Sequence, residues 1–290
     1  MAKRTMKFFF PPTAAVLFWS AALAQNRLLT RQELDDTPKY VRVEHALPNA
    51  PFVLKLDLTY HEMTKLPPDM ALLTELQYLD LSENSLNFAP EMLGNFKNLQ
   101  YLYIRRNVLE RIHPALCRLD KLKELDLSEN RLTQLPPCID EWISLERLSL
   151  RRNMLKTVPA SFGDMPKLRF LDMGFSGVAA LPPEIGNLTS LRELYLNSNR
   201  LEKIPAEIAR LDSLKILDLS YNYLNEIPKE LAKMSNLETL NLRNNPLFRL
   251  PEDLSGWKAL KTLNLKKCQT LSRAEIARIK EQLPGVKVLF

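Results

Sequence analysis

Glycine is scarce, at 7 of 290 residues, and none stands in a loop that would cradle a phosphate or in the sharp turn that presents a nucleophilic serine. Histidine and cysteine number 3 each. His45, His61 and His113 fall far apart, and no Cys/His spacing fits a metal site. Asp57, Asp80, Asp126, Asp172 and Asp218 recur at intervals, as a row of solvated acids rather than a working carboxylate pair. With no assembled acid, base or nucleophile, the chain is expected to be no enzyme and to require no metal or cofactor.

Long apolar runs are nearly absent as well. The exception, residues 8–24, follows Lys3, Arg4 and Lys7, contains Pro11 and Pro12, and ends Ala22-Leu23-Ala24. Residues 1–24 therefore read as a secretory signal peptide. An uncleaved anchor is the alternative, disfavoured because the run is shorter than the roughly 20 residues of a helical span. No other stretch is apolar enough to cross a bilayer, so the mature chain is expected to lack a membrane span and to be secreted or periplasmic. Net charge is small too: +6 for the whole chain, and +3 once those three basic residues are removed with the leader. That balance argues against nucleic acid as a partner.

What the chain has in abundance is a beat. Taking Leu76 as position 1 of a unit, the asparagine at position 9 returns every 23 residues: Asn84, Asn107, Asn130, Asn153, Asn199, Asn222 and Asn245. Ser176 stands in the same series, with His61 one step before it and Cys268 one step after. Ten in-phase units make this a repeat protein. Within each, leucines at positions 4 and 6, such as Leu79 and Leu81, alternate with polar residues as in a strand with one covered face. The second half carries apolar residues three apart, as in Ile185, Leu188 and Leu191 or Ile139, Trp142 and Leu145, a spacing that favours short 3₁₀ turns. Prolines 136, 159, 205, 228 and 251 are placed to begin those turns.

The string LxxLxLxx(N/C)xL, continued by LPxxIxxLxx, resembles the leucine-rich repeat family, and secreted bacterial members of it in particular. The resemblance implies an α/β solenoid: a right-handed horseshoe with a parallel sheet on the concave face and short helical turns on the convex one. The position-9 amide is expected to satisfy backbone groups of its own turn and the next, and Cys268 to be a buried structural substitute for it. Cys117 and Cys138 fall in adjacent units on the side away from the sheet. A disulfide, which needs Cα atoms within about 7 Å, and two buried thiols both remain open.

Residues 25–52 are expected to cap the N-terminal end of residues 53–270, the repeats. Thr30 and Glu33 form a helix-start box, Pro38 ends what they start, and a second turn covers residues 43–47. Residues 271–290 close the other end. Ser272 and Glu275 make a second box, Ile276, Ile279 and Leu283 share a helical face, and residues 286–290 form a strand whose Val286 and Val288 follow Leu263 and Leu265 by one repeat.

Individuality resides in positions 3, 5, 7, 8 and 10, which face the hollow. Glu83, Arg106, Glu129 and Arg152 make a ladder of alternating sign at position 8, with Arg105 and Arg151 beside it. Tyr78, Tyr101 and Tyr103 cluster early, and Phe170, Phe175, Tyr195, Tyr221 and Tyr223 late. Cross-strand stacking is one account of these rings. The other is that Tyr101, Tyr103, Arg105, Arg106, Arg151, Arg152, Phe170, Phe175, Tyr195, Tyr221 and Tyr223 anchor a partner, because aromatic and arginine side chains dominate interface hot spots. The resemblance implies a protein partner, with a cell-envelope glycan as the alternative. The sixth unit, with Gly174 and Gly177 and no asparagine, is either a stacking defect or a notch.

Overall fold

Leucines at positions 4 and 6 are sealed from solvent, among them Leu79, Leu81, Leu194 and Leu196. Their strands are only three residues long, but each is hydrogen-bonded to the next in register, as in Leu171↔Leu194↔Leu217. A computed structural model, describing residues 27–290, shows eleven such strands and one of two residues in a single twelve-stranded sheet whose spatial order follows chain order and whose pairings are all parallel. Ladder bonds continue past the strands, for example Glu83 N–H to Arg105 O at 3.0 Å. The core lies between this sheet and the turns behind it, with Phe96, Trp142 and Phe162 its largest sealed side chains. The expected leader, residues 1–24, lies outside the described residues.

The ends depart from the simple repeat. Lys39–Tyr40, inside the expected N-terminal cap, adds a first strand beside Lys55–Asp57. At the other end the strand is Lys287–Leu289, and Val288 pairs with Leu263, so the spacing is 25 residues and not one repeat. The ten-residue helix Arg273–Gln282 stands where other units have a short turn, and its extra length shifts the register. Ser272 does cap that helix, accepting from Glu275 N–H, but the Glu275 carboxylate accepts from Leu250 N–H and pairs with Arg278 instead of closing a box. Thr30 and Glu33 form their box in full at the start of Arg31–Asp35.

On the convex side, 3₁₀ turns such as Pro183–Asn187, Ala206–Arg210 and Lys229–Lys233 stack on one another. Pro159, Pro205 and Pro228 sit in extended backbone just before their turns, and their carbonyls accept the first turn bond. Where position 19 of one turn meets position 17 of the next there is almost no room. A Cβ on Gly94 would lie 2.2 Å from Ala115 O, and one on Gly186 2.2 Å from Glu207 O. Cys117 and Cys138 occupy this same pair of positions, with Cα atoms 5.9 Å apart, and form a disulfide there. The repeat itself thus delivers the two thiols to bonding distance. Gly186→Ala is expected to destabilise the protein by about 1–3 kcal/mol, because neither backbone can retreat without disturbing its own stack. An unchanged urea midpoint would show that the turns can part.

Each asparagine of the row bridges two units. Asn222 donates to Leu196 O and Leu219 O and accepts from Leu201 N–H. Ser176 keeps half of this role, donating to Leu150 O, and Cys268 places its thiol against Leu242 O while remaining buried. Strand pairing on both sides of the sixth unit is intact, so its departures from consensus cause no stacking defect. The preceding residue, position 8, is left-handed in all ten units, from Tyr60 (φ 59°) to Lys267 (φ 64°), and none is glycine. That conformation costs L-residues about 1–2 kcal/mol, and the bonds of the adjacent row hold it.

Candidate functional site

The N-terminal third of the hollow is occupied by the chain itself. Leu29 and Leu34 pack with Leu54, Tyr78 and Tyr101 in a small second core, and Tyr103 lies against it. The Arg31 guanidinium sits 4.8 Å from the Tyr78 ring centre and 4.9 Å from that of Tyr101, and donates to the Tyr103 hydroxyl at 2.9 Å. Leu29 is tied by its N–H to Gln77 Oε1 and by its carbonyl to Gln100 Nε2. Burial pushes the Tyr78 phenol up to about 12 and Tyr103 higher still. The expectation that Tyr101 and Tyr103 lie open on the concave face is therefore corrected: Tyr101 is 7% exposed, and the rings pack against the cap helix. The sequence carried a signal for this at position 2. Leu54, Gln77 and Gln100 are uncharged there, whereas Lys123, Glu146, Arg169, Arg192, Lys215, Glu238 and Lys261 follow in the later units.

The charge ladder is shorter than its sequence. Arg106 pairs with Glu83 at 2.6 Å and with Glu129 at 3.2 Å, but Arg152 leaves the series and lies 4.8 Å from the Phe175 ring centre. Arg151 approaches the same ring at 4.6 Å. Gly174 makes this possible, since a Cβ there would stand 2.8 Å from the Arg151 guanidinium. The notch of the sixth unit is thus filled by an arginine of the fifth. Phe170 packs on Tyr195 with ring centres 5.6 Å apart and carries Arg147 at 4.0 Å on its other side. Tyr221 and Tyr223 are exposed at 41% and 62%, with Arg243 5.5 Å from the Tyr221 ring. Arg147, Arg243 and the exposed Met154 belong to this surface and were not singled out from the sequence; sharing its positions 3, 7 and 10 was their only mark.

The recurring acids have a local task. Each accepts the N–H two residues on: Asp80 from Ser82, Asp126 from Ser128, Asp172 from Gly174 and Asp218 from Ser220. Desolvation beneath the aromatic cluster raises the Asp172 carboxyl above its ordinary value, although Arg151 stands 3.9 Å away. A carboxyl raised in this way holds its proton more tightly folded than unfolded, so its contribution to stability falls as pH climbs between the two values. Asp172→Asn keeps the acceptor for Gly174 and is expected to raise the melting temperature near neutral pH, with no gain in acid where Asp172 is protonated in both states. Equal shifts at both pH values would count against burial as the cause.

Among the described residues no cluster of His, Cys, Asp or Glu is arranged to hold a metal ion. A surface cleft of about 650 Å³ lies away from the sheet, between the turns of the eighth and ninth units, with Pro228 and Pro251 in its lining. It opens because residues 251–256 form no 3₁₀ turn.

A family model described as leucine rich repeat matches residues 53–109, 120–177 and 189–247, more than half of the chain. No curated protein matches the sequence. Among solved structures, a leucine-rich repeat protein of Leptospira interrogans is 31% identical with a TM-score of 0.75, over 87% of this chain and 70% of that one. An internalin of Listeria monocytogenes is 19% identical with a TM-score of 0.65, over 96% of this chain and 88% of that one. A plant peptide hormone receptor, in complex with RGF2, is 22% identical with a TM-score of 0.65; 79% of this chain is covered, and 42% of the receptor.

Proposed function

The chain belongs to the leucine-rich repeat family, and on that premise we propose that it is a non-catalytic binding module whose concave face, from the fifth unit onward together with the strand-end arginines of the third, receives a protein partner. The leucine-rich repeat fold commonly serves protein–protein interaction. The observation that carries the reading is the open cluster of Phe175, Tyr195, Tyr221 and Tyr223. Tyr195 ends its strand and the other three stand just past the strand ends, beside a sheet whose inner face is already filled by leucines, so packing of the core gives them no reason to be there. Arg105, Arg106, Arg151, Arg152 and Phe170 complete the surface, while Tyr101 and Tyr103 serve to hold the cap.

A protein is favoured over a glycan because guanidinium groups already lie against Phe170 and Phe175, which reduces the ring face on which a sugar would stack. Secretion to an oxidising compartment is part of the proposal, supported by the signal-like residues 1–24 and by the Cys117–Cys138 disulfide. The test is crosslinking capture from the native host with the mature chain and with Phe175→Ala/Tyr195→Ala/Tyr221→Ala. The variant is expected to lose its captured partner by tenfold or more, about 1.4 kcal/mol, with its melting temperature nearly unchanged. Undiminished capture, or an equal loss of stability, would overturn the assignment.

A further inference from the structure

The strand-end side of the hollow is basic although the chain as a whole is nearly balanced. Position 7 supplies Arg105, Arg151, Arg243 and Lys266, and position 8 supplies Arg106, Arg152 and Lys267. The acids of these two rows are Glu83 and Glu129, and Arg106 holds both. Among the described residues Arg105, Arg152, Arg243, Lys266 and Lys267 make no ion pair. These charges are not spread evenly. Arg105 and Arg152 stand in the third and fifth units and Arg243 and Lys266 in the ninth and tenth, while the middle offers Phe175, Asn197, Ser198, Ser220 and Tyr221. In that middle stretch Asp172 and Asp218 lie one step inward on the same strands.

We infer that this row binds an extended acidic segment of a partner protein, with carboxylates toward both ends and apolar side chains at its centre. The inference rests on the concave face being the binding surface. Strands repeat about every 4.8 Å, so the third to tenth units span about 34 Å, the length of roughly ten extended residues at about 3.3 Å each. Unpaired guanidinium groups take carboxylates in bidentate geometry. A polyanion with charge at every step is disfavoured, since in the seventh and eighth units its charges would face Asp218 where positions 7 and 8 supply no cation. Two guanidinium groups lie against Phe175, which stays partly exposed, and leave less ring face for a nucleobase to stack on.

The experiment is selection of a displayed library of random peptides, about twelve residues long, on the mature protein. Selected peptides are then measured by fluorescence anisotropy against the wild type, Arg105→Glu/Arg243→Glu and Phe175→Ala/Tyr221→Ala. The expected result is enrichment of Asp and Glu flanking an aromatic or aliphatic centre. Affinity should fall about tenfold or more in the charge-reversed variant, fall again as salt is raised, and exceed that for single-stranded DNA or a heparin fragment. Melting temperatures check that both variants remain folded. Selected peptides without acids that still lose binding in the ring variant would overturn the charge inference and leave the surface standing. Peptides indifferent to both variants, or no enrichment at all, would overturn both, and tighter binding of DNA or heparin would replace the peptide with a polyanion.

Discussion

Asn222→Ala is expected to lower the free energy of unfolding by about 3–5 kcal/mol, since each buried backbone group left without a partner costs about 1–3 kcal/mol. The amide serves Leu196 O, Leu219 O and Leu201 N–H at 2.9–3.0 Å, and the residue is 4% exposed, so water has little access to replace it. The effect spreads because two of those groups belong to the previous unit, and each unit depends on its neighbours for a core. Urea denaturation followed by circular dichroism measures it. A loss below about 1 kcal/mol would mean that solvent enters the turn and that the row is dispensable. The sixth unit supplies the reverse experiment. Ser176 reaches Leu150 O and Gly174 O but makes no bond to Leu155 N–H, the group an asparagine would serve. Ser176→Asn is therefore expected to stabilise the protein by about 1 kcal/mol.

Trp142→Ala is expected to cost about 3–5 kcal/mol, the range for emptying a large aromatic site in a packed core. The indole is fully sealed and donates from Nε1 to Leu116 O at 3.0 Å, so the substitution removes both volume and the partner of a carbonyl in the preceding unit. Trp257 repeats the arrangement on Leu231 O. Trp142→Phe separates the two contributions: it keeps most of the volume and forfeits the hydrogen bond, so its cost should be nearer 1–3 kcal/mol. Equal losses for the two variants would assign the effect to the hydrogen bond alone. The hydrogen bond lost in Trp142→Ala joins the third and fourth units, the pair tied by the Cys117–Cys138 disulfide, so the alanine variant is expected to weaken the coupling of those two units most.

Much of this architecture is legible in the sequence because a repeat averages out local ambiguity. One copy of Leu79-Asp80-Leu81 says little, while ten in phase fix strand direction, order and register together. The boxed helix at Thr30 was legible for a local reason, as its partners are three residues apart. Its destination was not. Leu29 and Leu34 meet Tyr78 and Tyr101 across more than forty residues of chain, and only the run of uncharged residues at position 2 marked the place. The left-handed row at position 8 was hidden because its usual signal, glycine, is absent there. At the candidate surface the alternation of sign at position 8 suggested a ladder that strand spacing alone would permit. Arg152 instead turned toward Phe175, which Arg151 also reaches through the space left over Gly174.

The link between Cys117 and Cys138 has a mechanical consequence. A coil of stacked units pulled at its ends surrenders length one turn at a time, and each released residue yields up to about 3.3–3.6 Å of slack. The covalent tie withholds the 21-residue separation between its two cysteines, on the order of 70 Å of slack at that extension per residue. Under load in an oxidising medium the third and fourth coils would open as one clamped element, and addition of a reductant would lengthen that single step while leaving those of the distal coils unchanged.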